Sequence, residues 1–183
     1  IPSSQSRPQR RSSLAAALVA VMAAVGLAGC ATPQQAETPV ALERGVLLQR
    51  MDTALQQAQS AGVVRLVTRP NPIPTGQLLQ LEVQTTQPGY LYLYQISTDG
   101  KSLSLAFPNA MDGANYLPVG QTSLPRASWQ LRARGPAGVG YLLAILTPQP
   151  QDLLTLQGQT QAGQILTPTP YAAAMATLRE ITP

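Results

Sequence analysis

The chain has 183 residues, enough for one domain of ordinary size, and only 11% of them are charged. Its formal net charge of +4 overstates its basic character: Arg7, Arg10 and Arg11 precede Cys30 and all eight acids follow it, leaving about +1 for the remainder. No basic stripe survives to steer nucleic acid, and the absence of His removes Ser-His-Asp and Cys-His catalysis and the commonest zinc-ligand sets.

Residues 1–29 read as a signal peptide, with a basic n-region, an apolar run from Leu14 to Leu27 and then small residues. About 14 apolar residues fall short of the ~20 that a transmembrane helix needs. The segment ends in Leu27-Ala28-Gly29-Cys30, which is similar to the lipobox of bacterial lipoproteins. In that family the Cys thiol accepts diacylglycerol, the peptide is cut before it, and the new amino group is acylated, typically with palmitate. The resemblance implies that Leu27, Ala28 and Gly29 are read by the signal peptidase and that Cys30 carries the lipid. Cys30 is the only Cys, so no intrachain disulfide competes for it. Each buried CH₂ adds about 0.8 kcal/mol, so several acyl chains anchor a protein almost permanently. Ala31 follows Cys30, in place of the Asp that holds enterobacterial lipoproteins in the inner membrane. By resemblance the protein is expected in the cell envelope, lipid-anchored to the outer membrane and facing the periplasm.

Residues 30–38 form a polar tether, spanning on the order of 15 Å if flexible. Thr38-Pro39 offers an N-cap and a first-turn proline. Leu42, Val46, Met51, Leu55 and Ala58 recur at helical spacing, and Gly62 is a stop, so an amphipathic helix is predicted over 39–61. It packs on its own domain or meets a partner helix.

A β domain is predicted over 62–148. Strands at about 62–69 and 77–86 are separated by Pro70, Pro72 and Pro74. The centre of the chain is Gly89 to Asn109. Tyr90, Tyr92, Tyr94 and Ile96 lie on one parity and Leu91 and Leu93 on the other, so this strand is apolar on both faces, as in a covered central strand. Asp99-Gly100 suits a two-residue hairpin turn. Leu103, Leu105 and Phe107 then alternate with Ser102, Ser104 and Ala106, and Pro108 ends the strand. Residues 109–127 read as a long loop with one short strand near 121–124. Strands at 128–134 and 139–147 are predicted to form a second hairpin through Gly135-Pro136-Ala137-Gly138. The tail, 149–183, is rich in Gln and Pro. Leu153 to Leu156 offers an edge strand or a turn of helix, and Thr169-Pro170 followed by Tyr171 to Glu180 predicts a short C-terminal helix.

Gly89-Tyr90-Leu91-Tyr92-Leu93, Asp99-Gly100, Leu105-Ala106-Phe107-Pro108-Asn109, Asn115-Tyr116-Leu117, Leu124-Pro125 and Pro136-Ala137-Gly138 occur in that order. The set resembles the bacterial family known as domain of unknown function 4384, over about residues 63–148. The resemblance implies a compact antiparallel β-sandwich, found in lipoproteins or beside other envelope and signalling modules. It carries no catalytic residue with it.

Chemistry is sparse. Asp99 is a turn residue, and Asp112 lies in a loop, Asn109 to Asn115, that lacks the alternating carboxylates and closing Glu of a calcium site. No metal and no cofactor are expected. Tyr90, Tyr92, Tyr94 and Trp129 are a candidate binding surface for a glycan or peptide, unless the tyrosines pack between sheet and helix with their hydroxyls at the rim and Trp129 is a core or rim anchor. The expected protein is mainly β, with a helix before the sandwich and a short helix after it. It is non-catalytic, held to the membrane by its lipid, and acts as an interaction or scaffold module for an envelope protein partner, a secretion apparatus being one candidate. Nucleic acid is not an expected partner. A peptidoglycan- or glycan-binding module of the cell wall is the alternative, and an envelope hydrolase that works without His is a third.

Overall fold

The described residues of the computed structural model are 44–58, 62–166 and 170–183. The lipobox, the tether, Leu42, Thr38-Pro39 and Thr169 lie outside them. Helix α1 spans Arg44–Gln57 and buries Leu47, Met51 and Ala54, an i, i+4, i+7 stripe. Of the positions predicted for this stripe only Met51 is at its centre. Val46 is 37% exposed, because the buried face is turned one residue along the wheel.

Strand β1 (Val64–Arg69) alternates buried and outward residues and pairs with β3 (Leu78–Thr85) in antiparallel register, Leu66 opposite Val83. The proline-rich link between them contributes only β2 (Ile73–Pro74). The predicted central strand is β4 (Gly89–Ile96), and β5 (Leu103–Phe107) pairs with it. The loop that follows yields β6 (Tyr116–Leu117) and β7 (Gly120–Leu124). Then come β8 (Leu131–Arg132), β9 (Gly138–Thr147), helix α2 (Leu153–Gln161) and β10 (Ala172–Ile181).

These strands make two sheets. One runs β1-β3-β7, with β8 beside the start of β3; the other runs β2-β10-β9-β4-β5, with β6 beside β4. Leu66, Leu81, Val83, Leu91, Leu93, Phe107 and Leu142 fill the space between them. A second core lies on the other face of the larger sheet, where Tyr92, Tyr94, Ile96, Leu143 and Ile145 meet Leu47 and Met51 of α1 and Leu156 of α2. The molecule is a mainly antiparallel β-sandwich with helices on one outer face. Each fully buried Leu of these cores contributes about 1.5–3 kcal/mol. Strand β4 is covered on both faces, as its double apolar pattern requires. Gly89 is fixed by proximity: a Cβ there would stand 2.8 Å from the Thr147 carbonyl oxygen.

Three expectations are corrected. The predicted second hairpin does not form. Only Leu131–Arg132 of the segment 128–134 is strand, and its partners are Leu79 and Leu78. The Ala133 N–H donates to the Gln77 carbonyl at 2.9 Å, and Gly135, at φ +72°, donates its N–H to the Glu180 carboxylate at 2.7 Å. The link Gly135 to Gly138 therefore carries the chain from one sheet to the other. The predicted C-terminal helix is strand β10, antiparallel to β9 from Ala172 opposite Leu146 to Glu180 opposite Gly138. Its alanines favour helix locally, but the long unpaired edge of β9 supplies a ladder for ten residues, and tertiary pairing overrides propensity. Finally, where Leu153 to Leu156 offered an edge strand or a turn of helix, the structure has a helix of more than two turns, Leu153–Gln161. Asp152 caps it, accepting the Thr155 N–H at 3.0 Å.

Candidate functional site

The β4–β5 connection is wider than a two-residue turn. Ser97 donates its N–H to the Ser102 carbonyl at 3.0 Å, and Gly100, at φ +70°, turns its N–H back to the Ser97 carbonyl at 2.9 Å. Asp99 is spent on this loop. Its carboxylate accepts the Ser97 hydroxyl and the Lys101 N–H, and these bonds hold its pKa below the ordinary value.

Beyond β5, the Asn109 side-chain oxygen accepts the N–H groups of Met111 at 2.9 Å and Asp112 at 3.1 Å, an Asx-type turn. Asn115 runs along β4, accepting the Leu91 N–H at 2.8 Å on its backbone oxygen and donating its side-chain amide to the Leu91 carbonyl. Asp112, only 8% exposed, accepts from Arg126 at 2.8 Å, from the Trp129 indole at 3.2 Å and from the Ala114 N–H at 3.3 Å. The Trp129 ring stacks on Phe107 with centroids 6.0 Å apart, and the Arg126 guanidinium lies over the same Phe. This clasp closes the side of the sandwich between β5 and β7. Sequence reading compared Asp112 only with calcium loops. Among the described residues no group of three or more His, Cys, Asp or Glu side chains is placed to hold a metal.

The tyrosine row is not a free surface. Tyr92 and Tyr94 are 3% and 1% exposed beneath α1, and the Tyr92 hydroxyl accepts the Gln151 N–H at 2.6 Å. Burial, and then the neighbouring Tyr92, push the Tyr94 phenol well above its ordinary pKa. Only Tyr90 reaches the rim, edge-on to Tyr116 at 5.2 Å. Trp129 is buried as a core anchor. Cys30, Leu27, Ala28 and Gly29 fall outside the described residues.

What sequence reading missed is a crevice of about 450 Å³ between the inner face of β4–β5 and the segment 129–135. Inner-face positions of β4 run Leu91, Leu93 and then Gln95. On β5 a register shift near Leu93 turns Phe107 inward, away from the parity of Leu103 and Leu105, and Ser104 and Ser102 follow it on the inner face. The hydrophobic row thus becomes polar toward the hairpin tip, where only the two-residue strand β8 and its flanks face it across the crevice. The opposite wall carries Gln130, Arg132 and Arg134, and Glu180 closes the floor. The signal was present in the sequence as Gln95, the one inner-face residue of β4 that is not apolar or Gly.

Residues 73–150 match the family model for domain of unknown function 4384 (DUF4384). No curated protein and no solved structure matches the chain.

Proposed function

Since residues 73–150 of this chain are a DUF4384 domain, we propose that the protein is a lipid-anchored scaffold of the outer membrane that presents this domain to a protein of the envelope. The observation that carries the reading is Leu27-Ala28-Gly29-Cys30 directly after an apolar run and directly before a short polar tether. A triacylated Cys holds a domain at the lipid surface, and a tether spanning on the order of 15 Å keeps it there. The motif residues of the domain give further support. Asp99, Asn109, Asn115 and Asp112 are all consumed in shaping loops, which suits a recognition module better than a catalytic one. The wall-binding alternative loses Tyr92 and Tyr94 as a stacking row, since both lie under α1.

The test is intact-mass measurement and membrane fractionation of the native protein beside Cys30→Ala. Acylated mass and outer-membrane recovery for the native protein, both lost in the variant, are the expected result. A variant that stays in the membrane fraction would overturn the anchor. In-cell cross-linking of the lipidated form then identifies the partner, and recovery of peptidoglycan fragments alone would favour the wall-binding alternative.

A further inference from the structure

The larger sheet ends at β5, against which helix α2 packs, and among the described residues no strand pairs with the outer side of β5. Ser97 and Ser102 exchange a ladder bond through the Ser97 N–H, and Gln95 stands opposite Ser104. Bonded and non-bonded pairs alternate in an antiparallel ladder, so Leu103 and Leu105 direct their N–H and C=O groups away from β4. Among the described residues no backbone group pairs with them. Other edges are guarded in the usual ways: β2 is two residues with Pro74, and β1 carries Arg65 and Arg69. Strand β7 is flanked by Pro118 and Pro125, opens on Gly120 at φ +124°, and points Gln121 and Ser123 outward. Strand β5, Leu-Ser-Leu-Ala-Phe, has neither charge nor Pro within it, although Lys101 and Pro108 flank it.

The two sides of this edge differ. Leu103 and Leu105 pack toward the helix layer. Ser102 and Ser104 line the crevice, whose far wall holds Arg132 and Arg134; Asp99, tied into its own loop, and Glu180, bonded to the Gly135 N–H, line it too. The side chains of Gln95, Ser104, Gln130 and Arg134, all on the crevice lining, make no side-chain hydrogen bond among the described residues. A strand laid against β5 would set alternate side chains beside Leu103 and Leu105, and the intervening ones beside Ser104 and the arginines.

We propose that the β5 edge is a β-augmentation site for an extended polypeptide segment of the partner that alternates aliphatic residues with acidic or hydroxylated ones. Main-chain bonds to Leu103 and Leu105 give affinity, and the crevice selects the polar set. This deepens the scaffold reading and rests on it, but the two are separable: membrane release of Cys30→Ala concerns the anchor alone, and peptide titration concerns the edge alone.

The experiment titrates the full chain, in detergent, into a labelled eight-residue peptide alternating Val with Asp and Ser, followed by fluorescence anisotropy. A counterpart with Lys in place of Asp is the control. The acidic peptide is expected to bind at least tenfold more tightly than the Lys peptide, and Arg134→Glu is expected to invert that preference. Leu105→Pro removes the outward N–H without touching the ladder to β4 and is expected to cost at least tenfold in binding. Should Leu105→Pro fail to fold, N-methyl groups on the peptide amides that face β5 take its place, and the same loss is expected. Binding by neither peptide, or binding indifferent to Arg134→Glu and to N-methylation, overturns the proposal. So does a concentration-dependent dimer of the native chain that Leu105→Pro dissolves, because the edge would then be closed by a second copy.

Discussion

Asp112 carries three donors in a nearly closed pocket, one of them the indole of the only Trp. Asp112→Ala would leave the Trp129 N–H unpaired in the core and the Arg126 guanidinium, about one-third exposed, without its carboxylate. The expected cost is about 2–3 kcal/mol of unfolding free energy, discounted for that exposure. Asp112→Asn keeps an acceptor for the indole and should cost about half as much. Urea denaturation of the two variants followed by Trp129 fluorescence checks the order. Tyr94 acts in the opposite sense. Its hydroxyl is buried, and its folded pKa is raised above the ordinary 10.0. Its neutral form therefore supports the fold fully below pH ~10 and that support drains as pH rises past the unfolded value. Tyr94→Phe should leave Tm nearly unchanged at pH 7 and lessen the fall in Tm between pH 9 and 11, read by thermal melts.

Elements were legible wherever one face pattern decided them. The β4 run, apolar on both parities, could only be a covered central strand, and β3, alternating Leu79, Leu81 and Val83 with polar residues, could only be half-buried. Elements that depend on a distant partner were not. Nothing local to Ala172–Ile181 announces a strand, because its cause is the β9 edge, far away in sequence. Likewise Gly135 to Gly138 reads as a turn, and only the Glu180 carboxylate and the Gln77 carbonyl show it to be a crossover. The crevice was hidden for the same reason, since one polar residue on β4 acquires meaning only when the facing layer stops short. Helix α2 sits between these cases. Its cap, Asp152, went unread because a Gln-rich stretch of weak pattern follows it. Bonds from the Thr155 hydroxyl and N–H lower the Asp152 pKa below 3.8. The depressed value makes the carboxylate's support complete above pH ~4 and lost as pH falls through the folded pKa. Asp152→Ala should lower Tm at pH 7 and become indistinguishable from the native chain near pH 2.

At the scale of the whole molecule, one sheet serves two cores. Leu93 and Leu142 belong to the sandwich, whereas Tyr94 and Leu143, their neighbours on the same strands, belong to the helix layer. Loss of α1 would uncover Tyr92, Tyr94 and Leu143 but leave the space between the sheets filled. Native-state hydrogen exchange should therefore find α1 amides opening at lower free energy than those of β4 and β9. Uniform protection across both layers would show a single cooperative unit instead. Helix α1 begins where Arg44 presses on the hairpin tip: a Cβ on Gly100 would stand 2.7 Å from the Arg44 Cβ, and the Arg44 guanidinium reaches the Val139 carbonyl and the Tyr141 ring. That junction has a mechanical consequence. A load applied through the chain at Cys30 arrives at Arg44 before it reaches any strand among the described residues, so the helix is expected to peel before the sheets rupture. In an optical trap pulling between residue 30 and the C-terminus, a small early extension should precede the main rupture. If the proposed lipid anchor moors the domain by its N-terminus, α1 is expected to act as a strain relief, yielding before the sheets do.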